Sequence, residues 1–248
     1  MSPYKTLLYD ETGDVATVTL NRPGGNRINV RMIKELSALC DYLEDKSTAR
    51  VVVFRGAGDA FSEGIDWTEF DAQKPMDIHG FNQWEKCCTR LERLPKATIA
   101  LVDGPAIGGG FQIALVCDQR VATARARFQL PEVHLGFLPG MATFRLAKTV
   151  GLGHARRLAL TCATVLPEEA TRLGIVDRVV EDLDAGLAEA LAAFGPTHTV
   201  AIALTRRLLN ESFADEYEDA IGHFLAAQHR AISQPAFAET IRRQVKGE

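Results

Sequence analysis

Two hydrophobic periodicities alternate along the first half of the chain. Strand-like runs occur at 15–21, 50–55 and 97–102, and the last two are nearly continuous apolar runs, as in buried parallel strands. Between them, apolar residues recur at helical spacing after Asn29, which is a predicted helix cap, and again from 81 to 94. This alternation predicts an α/β core built from βαβ units.

Helical periodicity dominates the second half of the chain. A glycine-bearing turn leads into a predicted helix at 109–117, which is followed by short predicted strands at 120–122 and 127–130. Apart from one strand near 176–180, the remaining predicted elements are helices at 140–149, 153–162, 167–173, 183–193, 198–211, 215–232 and 235–245. The sequence has no low-complexity linker, so we predict an α/β core over 1–190 with a helical section over 191–248.

Composition and charge exclude several functional classes. The 248 residues carry a formal net charge of −4, which has the wrong sign for a general nucleic-acid binder. No apolar run reaches the length of about 18 residues that a membrane span needs, and the start lacks the apolar core of a signal peptide. The five cysteines show no CxxC spacing, and the histidines show no metal-ligand spacing. We therefore expect a cytoplasmic protein with reduced, buried cysteines and neither a metal nor a membrane partner.

A run of three glycines, Gly108–Gly110, is the most informative local feature. It follows a predicted buried strand and begins a predicted helix, and three glycines leave the backbone open to close approach. The first N–H groups of a helix have no partner within it, and the helix dipole adds positive charge there. The run therefore suits an anion or a developing oxyanion, although glycines at a close strand–helix contact would have the same pattern. Neither GxGxxG spacing nor a following Gly-Lys-Ser/Thr is present, which excludes a nucleotide-binding loop.

A second segment, 61–66, has similar properties. Gly64 permits backbone angles that other residues rarely adopt, so that the N–H of Ile65 can point outward. The segment follows the strand at 50–55, and the carboxyl ends of parallel strands are where α/β sheets place their ligands. Two outward amides from two such loops can bind one carbonyl oxygen.

A third segment, 128–140, places the carboxylate of Glu132 in an apolar stretch. A carboxylate in such surroundings is costly unless it has a task or a partner, so Glu132 is a candidate acid or base; a helix-start or salt-bridge role is the alternative. His134 follows two residues later, and both side chains share a face if the segment is extended.

These three segments together carry a family resemblance: FSEGID at 61–66, GPAIGGGFQ at 104–112 and PEVHLGFLPG at 131–140. With NRPGGNRINVRM before them and EEATRLGIVDRVVE after them, they resemble the crotonase superfamily of enoyl-CoA hydratases and isomerases. The resemblance covers roughly residues 10–185. It implies an α/β fold of the crotonase type, a spiral of ββα and βαβ repeats. The helical C-terminal section would then assemble the chain into a homotrimer or a dimer of trimers.

The resemblance also implies a substrate and the groups that contact it. The substrate would be an acyl-CoA or acyl-carrier thioester, whose carbonyl oxygen accepts hydrogen bonds from the amides of Ile65 and Gly109. The residues implied to contact coenzyme A or to close the first loop are Arg27, Ile28, Glu63 and Asp66. Because the thioester itself accepts the electrons, no metal or redox cofactor is implied, and coenzyme A is part of the substrate.

Aromatic residues mark the stretch that corresponds to the acyl pocket of the family. They bracket a polar insert over 71–80, and we predict that an aromatic or cyclic acyl group stacks there, although the spacing also fits ordinary helix packing. The bracketing residues are Trp67, Phe70, Phe81 and Trp84. The predicted pocket residues are Trp67, Phe70, Trp84, His134, Phe137 and Met141. Arg206 and Arg207 are candidates to contact the coenzyme A phosphates.

The sequence departs from the hydratases of the family at one position. Gln112 stands where they carry a first carboxylate, and Glu132 matches their second. A carboxamide orients a water molecule but does not take its proton, whereas one carboxylate beside an oxyanion hole suffices to move a proton between carbons. We therefore predict double-bond isomerisation, with Glu132 as the single acid and base and Gln112 as an orienting residue.

Several other activities stay open. A hydratase-lyase that acts on an aromatic acyl-CoA also needs only the second carboxylate. The stretch EGIDWTEF resembles β-diketone hydrolases, and GFLPGM resembles polyketide β-branching decarboxylases that act on carrier-protein thioesters. The missing first carboxylate also fits a non-catalytic thioester-binding subunit.

Overall fold

A computed structural model of the chain describes residues 4–70, 78–195 and 198–246. Residues 71–77, which form most of the predicted polar insert, lie outside the described residues. Within those ranges no single helix is long and apolar enough to cross a membrane. The bent pair Leu183–Phe194 and Thr199–Glu211 meets the criteria of length and composition only when taken together.

The strands form one six-stranded sheet and one two-stranded sheet. They are β1 Leu7–Thr12, β2 Val15–Leu20, β3 Val51–Gly56, β4 Ala97–Val102, β5 Pro105–Ile107, β6 Gln119–Thr123, β7 Arg127–Gln129 and β8 Arg178–Val180. The large sheet has the order β1-β2-β3-β4-β6-β8, and all its pairs are parallel except β1 with β2. The small sheet pairs β5 with β7 in parallel.

The helices connect these strands and continue beyond them. They are α1 Val30–Asp45, α2 His79–Glu92, α3 Gly109–Val116, α4 Ala142–Thr161, α5 Pro167–Arg172, α6 Leu183–Phe194, α7 Thr199–Glu211, α8 Tyr217–Ile232 and α9 Pro235–Lys246. As predicted, Asn29 caps α1, and its Oδ1 accepts a hydrogen bond from the Met32 N–H at 2.9 Å.

The core has two layers because β3 and β4 are buried on both faces. In β3, Val52 and Phe54 pack with α1, α2 and α3, whereas Val51 and Val53 pack toward α6. This is the period of two that a strand imposes, and it explains why both strands are nearly continuous apolar runs in the sequence. All five cysteines are buried and free, as expected.

The predicted elements are present, but two strands and one turn differ from the prediction. β1 and β5 were not predicted; β5 forms only because Ala106 pairs with Phe128 on β7 and bridges to Ser62. The predicted interruption between 149 and 153 is found at Gly151, where the backbone leaves the helical region inside α4. Glu132–Leu135 is a 3₁₀ turn and not an extended segment, so the predicted shared face of Glu132 and His134 is wrong.

A buried arginine fastens the helical end to the core. On α7, Arg206 is 8% exposed, and its Nε donates to Asp118 Oδ1 at 2.7 Å while its Nη1 donates to the carbonyl oxygen of Leu94. Helices α8 and α9 contain no buried residue among those described. The division of the chain at residue 190 stays a prediction; α6 continues across it to Phe194.

Candidate active site

Asn26 holds together two loops, one of which carries the amide of Ile65. This residue is 1% exposed and adopts a positive φ of 53°. Its Nδ2 donates to the carbonyl oxygens of Ala57 and Ala60 at 2.9 and 2.8 Å, and the Ser62 hydroxyl donates to the Asn26 carbonyl oxygen at 2.8 Å. The buried amide therefore fixes the loop over 21–29 against the loop over 57–66.

The orientation of the Ile65 amide follows from the pairing of its neighbours. The Ile28 N–H donates to the Gly64 carbonyl oxygen at 2.7 Å, and the Asp66 N–H donates to the Ile28 carbonyl oxygen at 2.9 Å. In a parallel bridge of this kind the residue between the two partners directs its own N–H away from the neighbouring segment. The Ile65 N–H accordingly makes no hydrogen bond to another described residue.

The second amide lies at the start of α3. The Gly108 N–H donates to the Gln129 carbonyl oxygen at 2.9 Å, and Gly108 has a φ of 52°, which turns the chain from β5 into the helix. Gly109 is the first residue of α3, and within the described ranges its N–H likewise has no acceptor. The two amides belong to adjoining segments, because a Cβ on Gly64 would stand 2.8 Å from the Ile107 carbonyl oxygen and 3.8 Å from Gly108 Cα.

Glu132 lies directly beside this pair of amides. Its side chain is 4% exposed, and its Oε1 is 2.7 Å from the place that a Cβ on Gly108 would occupy. Its Oε2 is buried and has no hydrogen-bond partner among the described residues. Burial raises the pKa of Glu132 above its ordinary value. The site therefore holds an unpaired carboxylate whose proton affinity is increased by desolvation.

Gln112 follows Gly109 by one turn of α3 and is also 4% exposed. Its Oε1 is buried without a hydrogen-bond partner in the described part of the chain. Glu132 and Gln112 thus each present a buried acceptor with nothing to accept from, a situation that is rare in folded proteins and typical of functional sites.

A cavity of about 220 Å³ joins these groups, and aromatic rings line much of it. Trp67 stands edge-on to Phe137 with ring centroids 5.5 Å apart, and Phe70 and Phe81 extend the same cluster at 5.7 and 6.1 Å. The cavity is lined by four of the predicted pocket residues, namely Trp67, Phe70, Trp84 and Phe137.

The other two predicted pocket residues are placed elsewhere. His134 is exposed on the 3₁₀ turn, and Met141 is 42% exposed at the start of α4; neither side chain lines the cavity. The reason is the 3₁₀ geometry, which turns His134 away from the face that carries Glu132.

Of the residues predicted to contact coenzyme A or to close the first loop, Ile28, Glu63 and Asp66 line the cavity, whereas Arg27 does not. Arg27 is exposed, and its Nη2 pairs with Glu63 Oε2 at 2.8 Å, whereas Ile28 is buried. The Thr68 hydroxyl donates to Asp66 Oδ1 at 2.7 Å and, together with Arg22, holds the pKa of Asp66 below its usual range. Asp66 therefore ties the end of the first amide loop to Arg22.

The two arginines of α7 differ in environment. The guanidinium of Arg206 is occupied by the buried bonds described above, and Arg206 does not line the cavity, so its contact with a coenzyme A phosphate stays a prediction. Arg207 is exposed and pairs with Glu211 at 2.9 Å.

Sequence reasoning missed Arg22, Asn26 and Glu85. Asn26 carries no local signal, because its role depends on loops about 30 residues away. Glu85 does carry one: it stands four residues after Phe81 and three before Cys88, so that a carboxylate interrupts the apolar face of α2. The structure places it in the cavity lining.

Several known proteins are similar to this chain over nearly its whole length. The family model for enoyl-CoA hydratase/isomerase matches residues 10–247. A short-chain-enoyl-CoA hydratase of Clostridium acetobutylicum is 32% identical over 257 residues, which cover 97% of each chain. Among solved structures, AtuE of Pseudomonas aeruginosa has a TM-score of 0.92 at 30% identity and 98% coverage of both chains. An enoyl-CoA hydratase of Mycobacterium smegmatis also has a TM-score of 0.92, at 27% identity, covering 98% of this chain and 97% of that one. The structural likenesses confirm the predicted fold class.

Proposed function

Since the chain belongs to the enoyl-CoA hydratase/isomerase family, as its motifs predicted, we propose that its cavity binds an acyl-CoA thioester and stabilises the enolate of that thioester. The observation that carries this proposal is the juxtaposition of two unpartnered amides, Ile65 and Gly109, with the buried, unpaired carboxylate of Glu132. In this proposal the amides bind the oxyanion, and the carboxylate moves the proton whose removal creates it.

The chemistry uses these groups in sequence. The thioester oxygen accepts hydrogen bonds from both amides, and the dipole of α3 adds positive charge at Gly109. Glu132 removes a proton from the α-carbon, and the electron pair of that C–H bond moves into the enolate, whose negative charge rests on the thioester oxygen. In an isomerisation Glu132 returns the proton two carbons away, at the γ-carbon, so that the double bond shifts and no atom is gained or lost.

Isomerisation is the activity we favour because Gln112 cannot take a proton from water. Hydration is the second candidate, since the relatives in Clostridium acetobutylicum and Mycobacterium bovis are named hydratases. For either reaction, the aromatic cluster around Trp67 and Phe137 favours an aromatic or cyclic acyl group.

The test is Glu132→Gln, assayed by exchange of the α-protons of saturated acyl-CoAs in heavy water. Removal of a general base costs about 10²- to 10⁴-fold in rate, whereas coenzyme A binding should change little because the side chain keeps its size. Glu189→Gln, which changes an exposed carboxylate paired with Arg178, is the matched control and should exchange at the wild-type rate. α-Proton exchange at the wild-type rate in Glu132→Gln would contradict the mechanism. An absence of exchange in the wild-type protein would favour a non-catalytic thioester-binding subunit.

We also propose that the chain assembles as a homotrimer or a dimer of trimers. The support is the composition of α8 and α9, which bury none of their described residues and yet carry apolar side chains. The exposed apolar residues are Ile221, Phe224, Leu225, Ile232, Phe237, Ile241 and Val245. Multi-angle light scattering should give three or six times the chain mass of 27.1 kDa; a monomer at micromolar concentration would contradict the proposal.

A further inference from the structure

Three side chains that can ligate a metal lie together outside the cavity, where α7 turns into α8. Glu211 is the last residue of α7, Asp215 lies in the turn, and His223 lies on α8. One ligand atom from each of the three lies within 4.8 Å of the other two. None of these residues lines the cavity, so the cluster is separate from the proposed active site.

The turn itself brings the cluster together. The Asp215 N–H donates to the Glu211 carbonyl oxygen at 3.1 Å, and Asp215 Oδ2 is 2.8 Å from His223 Nδ1. The two acids and the histidine come from a helix end, a turn and the next helix, so their spacing in the sequence has no metal-binding pattern. The expectation of no metal site rested on that spacing alone.

Glu211 carries a second observation that points to a ligand. Its Oε1 accepts a hydrogen bond from Arg207 Nε at 2.9 Å. Its Oε2 is buried and has no hydrogen-bond partner among the described residues. A carboxylate oxygen that is withdrawn from water without a donor is costly, and a bound cation removes that cost.

Charge and donor type identify the kind of cation. Residues 211–219 contain five acidic residues and no basic one, so the single pairing with Arg207 leaves the turn negative. One imidazole and two carboxylates suit zinc, whereas magnesium and calcium prefer oxygen ligands alone.

The geometry is also compatible with zinc. The ligand atoms around a tetrahedral zinc ion are about 3.4 Å apart. That separation lies between the 2.8 Å contact of Asp215 with His223 and the 4.8 Å that encloses all three ligand atoms. Small rotations of these side chains therefore suffice to close the site around the ion.

We propose that Glu211, Asp215 and His223 bind a zinc ion that fastens the start of α8 to the end of α7. Three protein ligands leave the fourth position of the ion to water. Because α8 buries none of its described residues, a metal clamp at this turn would fix its direction relative to α7. The site is structural and supplies no step of the proposed reaction.

The experiment is isothermal titration of zinc chloride into the full chain after a chelator has removed bound metal. The wild type should bind one zinc ion per chain at this site. His223→Gln should weaken binding about 100-fold or more, because loss of a residue that only supports a ligand already costs about 10- to 100-fold. Asp215→Asn should weaken it as well, since the amide keeps the size of the side chain but loses its charge. The five cysteines are buried and do not compete for the ion in the folded protein.

His229→Gln is the matched control, because it removes another exposed histidine of α8 that lies outside the cluster. It should keep the wild-type dissociation constant. Zinc should also raise the melting temperature of the wild type and of His229→Gln but not that of His223→Gln, since an ion that binds only the folded chain stabilises it. An absence of zinc binding in the wild type, unchanged binding in His223→Gln, or an equal loss in His229→Gln would overturn the proposal. Displacement of zinc by an equal concentration of magnesium would overturn the assignment of the ion.

Discussion

The cavity has two walls that are built in different ways. The amide wall consists of 64–66 and 108–110, and its chemistry belongs to the backbone. The side-chain wall consists of Glu85, Gln112 and Glu132, and its chemistry belongs to side chains from two helices and a 3₁₀ turn. The amide wall is fixed by main-chain pairing and by the buried side chain of Asn26. The side-chain wall is fixed by packing and by the ion pair of Glu85 with Arg145.

The difference has a chemical consequence. Two backbone amides can stabilise the same oxyanion for any reaction that passes through an enolate, so the amide wall specifies a class of intermediates. What the enolate becomes depends on which acids, bases and acceptors surround its carbon atoms. We therefore expect changes in the amide wall to slow every reaction that passes through the enolate, and changes in the side-chain wall to alter which reaction follows, its pH dependence or its rate.

Among changes that leave Glu132 in place, the largest effect is expected from breaking the amide wall with Gly64→Ala. Gly64 has a φ of 84°, and an added Cβ would stand 2.8 Å from the Ile107 carbonyl oxygen, so that the segment must shift and the Ile65 N–H must move. Loss of one oxyanion-hole donor costs about 10²- to 10³-fold in turnover. Gly58→Ala is the matched control, because Gly58 has a φ of 74° and no described atom within 4 Å of its Cβ position. The two exchange rates provide the measurement; similar rates in both variants would contradict the role of Ile65.

A smaller effect is expected in the pH dependence, which reports on the side-chain wall. Glu132 must be ionised to take a proton, and burial raises its pKa above the ordinary 4.5. The kcat/KM of the wild type should therefore rise with pH along a limb whose midpoint lies above 4.5. Gln112→Glu should move this limb to still higher pH, since a second carboxylate in the same cavity opposes ionisation. A midpoint at the ordinary glutamate pKa, or a midpoint that Gln112→Glu does not move, would show that the ionisation of Glu132 does not control kcat/KM.

The smallest effect is expected in stability. Between the ordinary and the raised pKa, folded Glu132 holds a proton that the unfolded chain has released, so the free energy of unfolding falls as pH rises through that interval. The Glu132→Gln variant cannot lose stability in this way, so it should melt at a higher temperature than the wild type at pH 7. A gain of about 1 kcal/mol in the free energy of unfolding corresponds to roughly 2–4 °C. The gap should close below the ordinary glutamate pKa. Thermal melts at pH 4 and pH 7 provide the measurement, and a lower melting temperature for the variant at pH 7 would show that Glu132 has a stabilising partner.

The amide wall could be predicted from local sequence, because glycine readily adopts backbone conformations with positive φ that other residues rarely adopt. Gly64 and Gly108 both adopt the positive φ that their type permits, and Glu132 stood out as an acid in an apolar stretch. His134 was misplaced because a two-residue spacing has opposite meanings in a strand and in a 3₁₀ turn. Arg206 was a candidate to contact a coenzyme A phosphate, and only its contact with Asp118, 88 positions away, shows that its guanidinium is buried against the core.

By itself, then, the sequence determined the family and the order of the helices and of the strands other than β1 and β5. It also identified the residues whose backbone or charge has a meaning within a few neighbours. The tertiary structure decided which polar side chains share the cavity. Glu85 and Gln112 are 27 positions apart, and both approach Gly140 because α2 and α3 pack near the start of α4. Periodicity places a side chain on one face of its own helix, but the distance between two faces is fixed only when the helices pack.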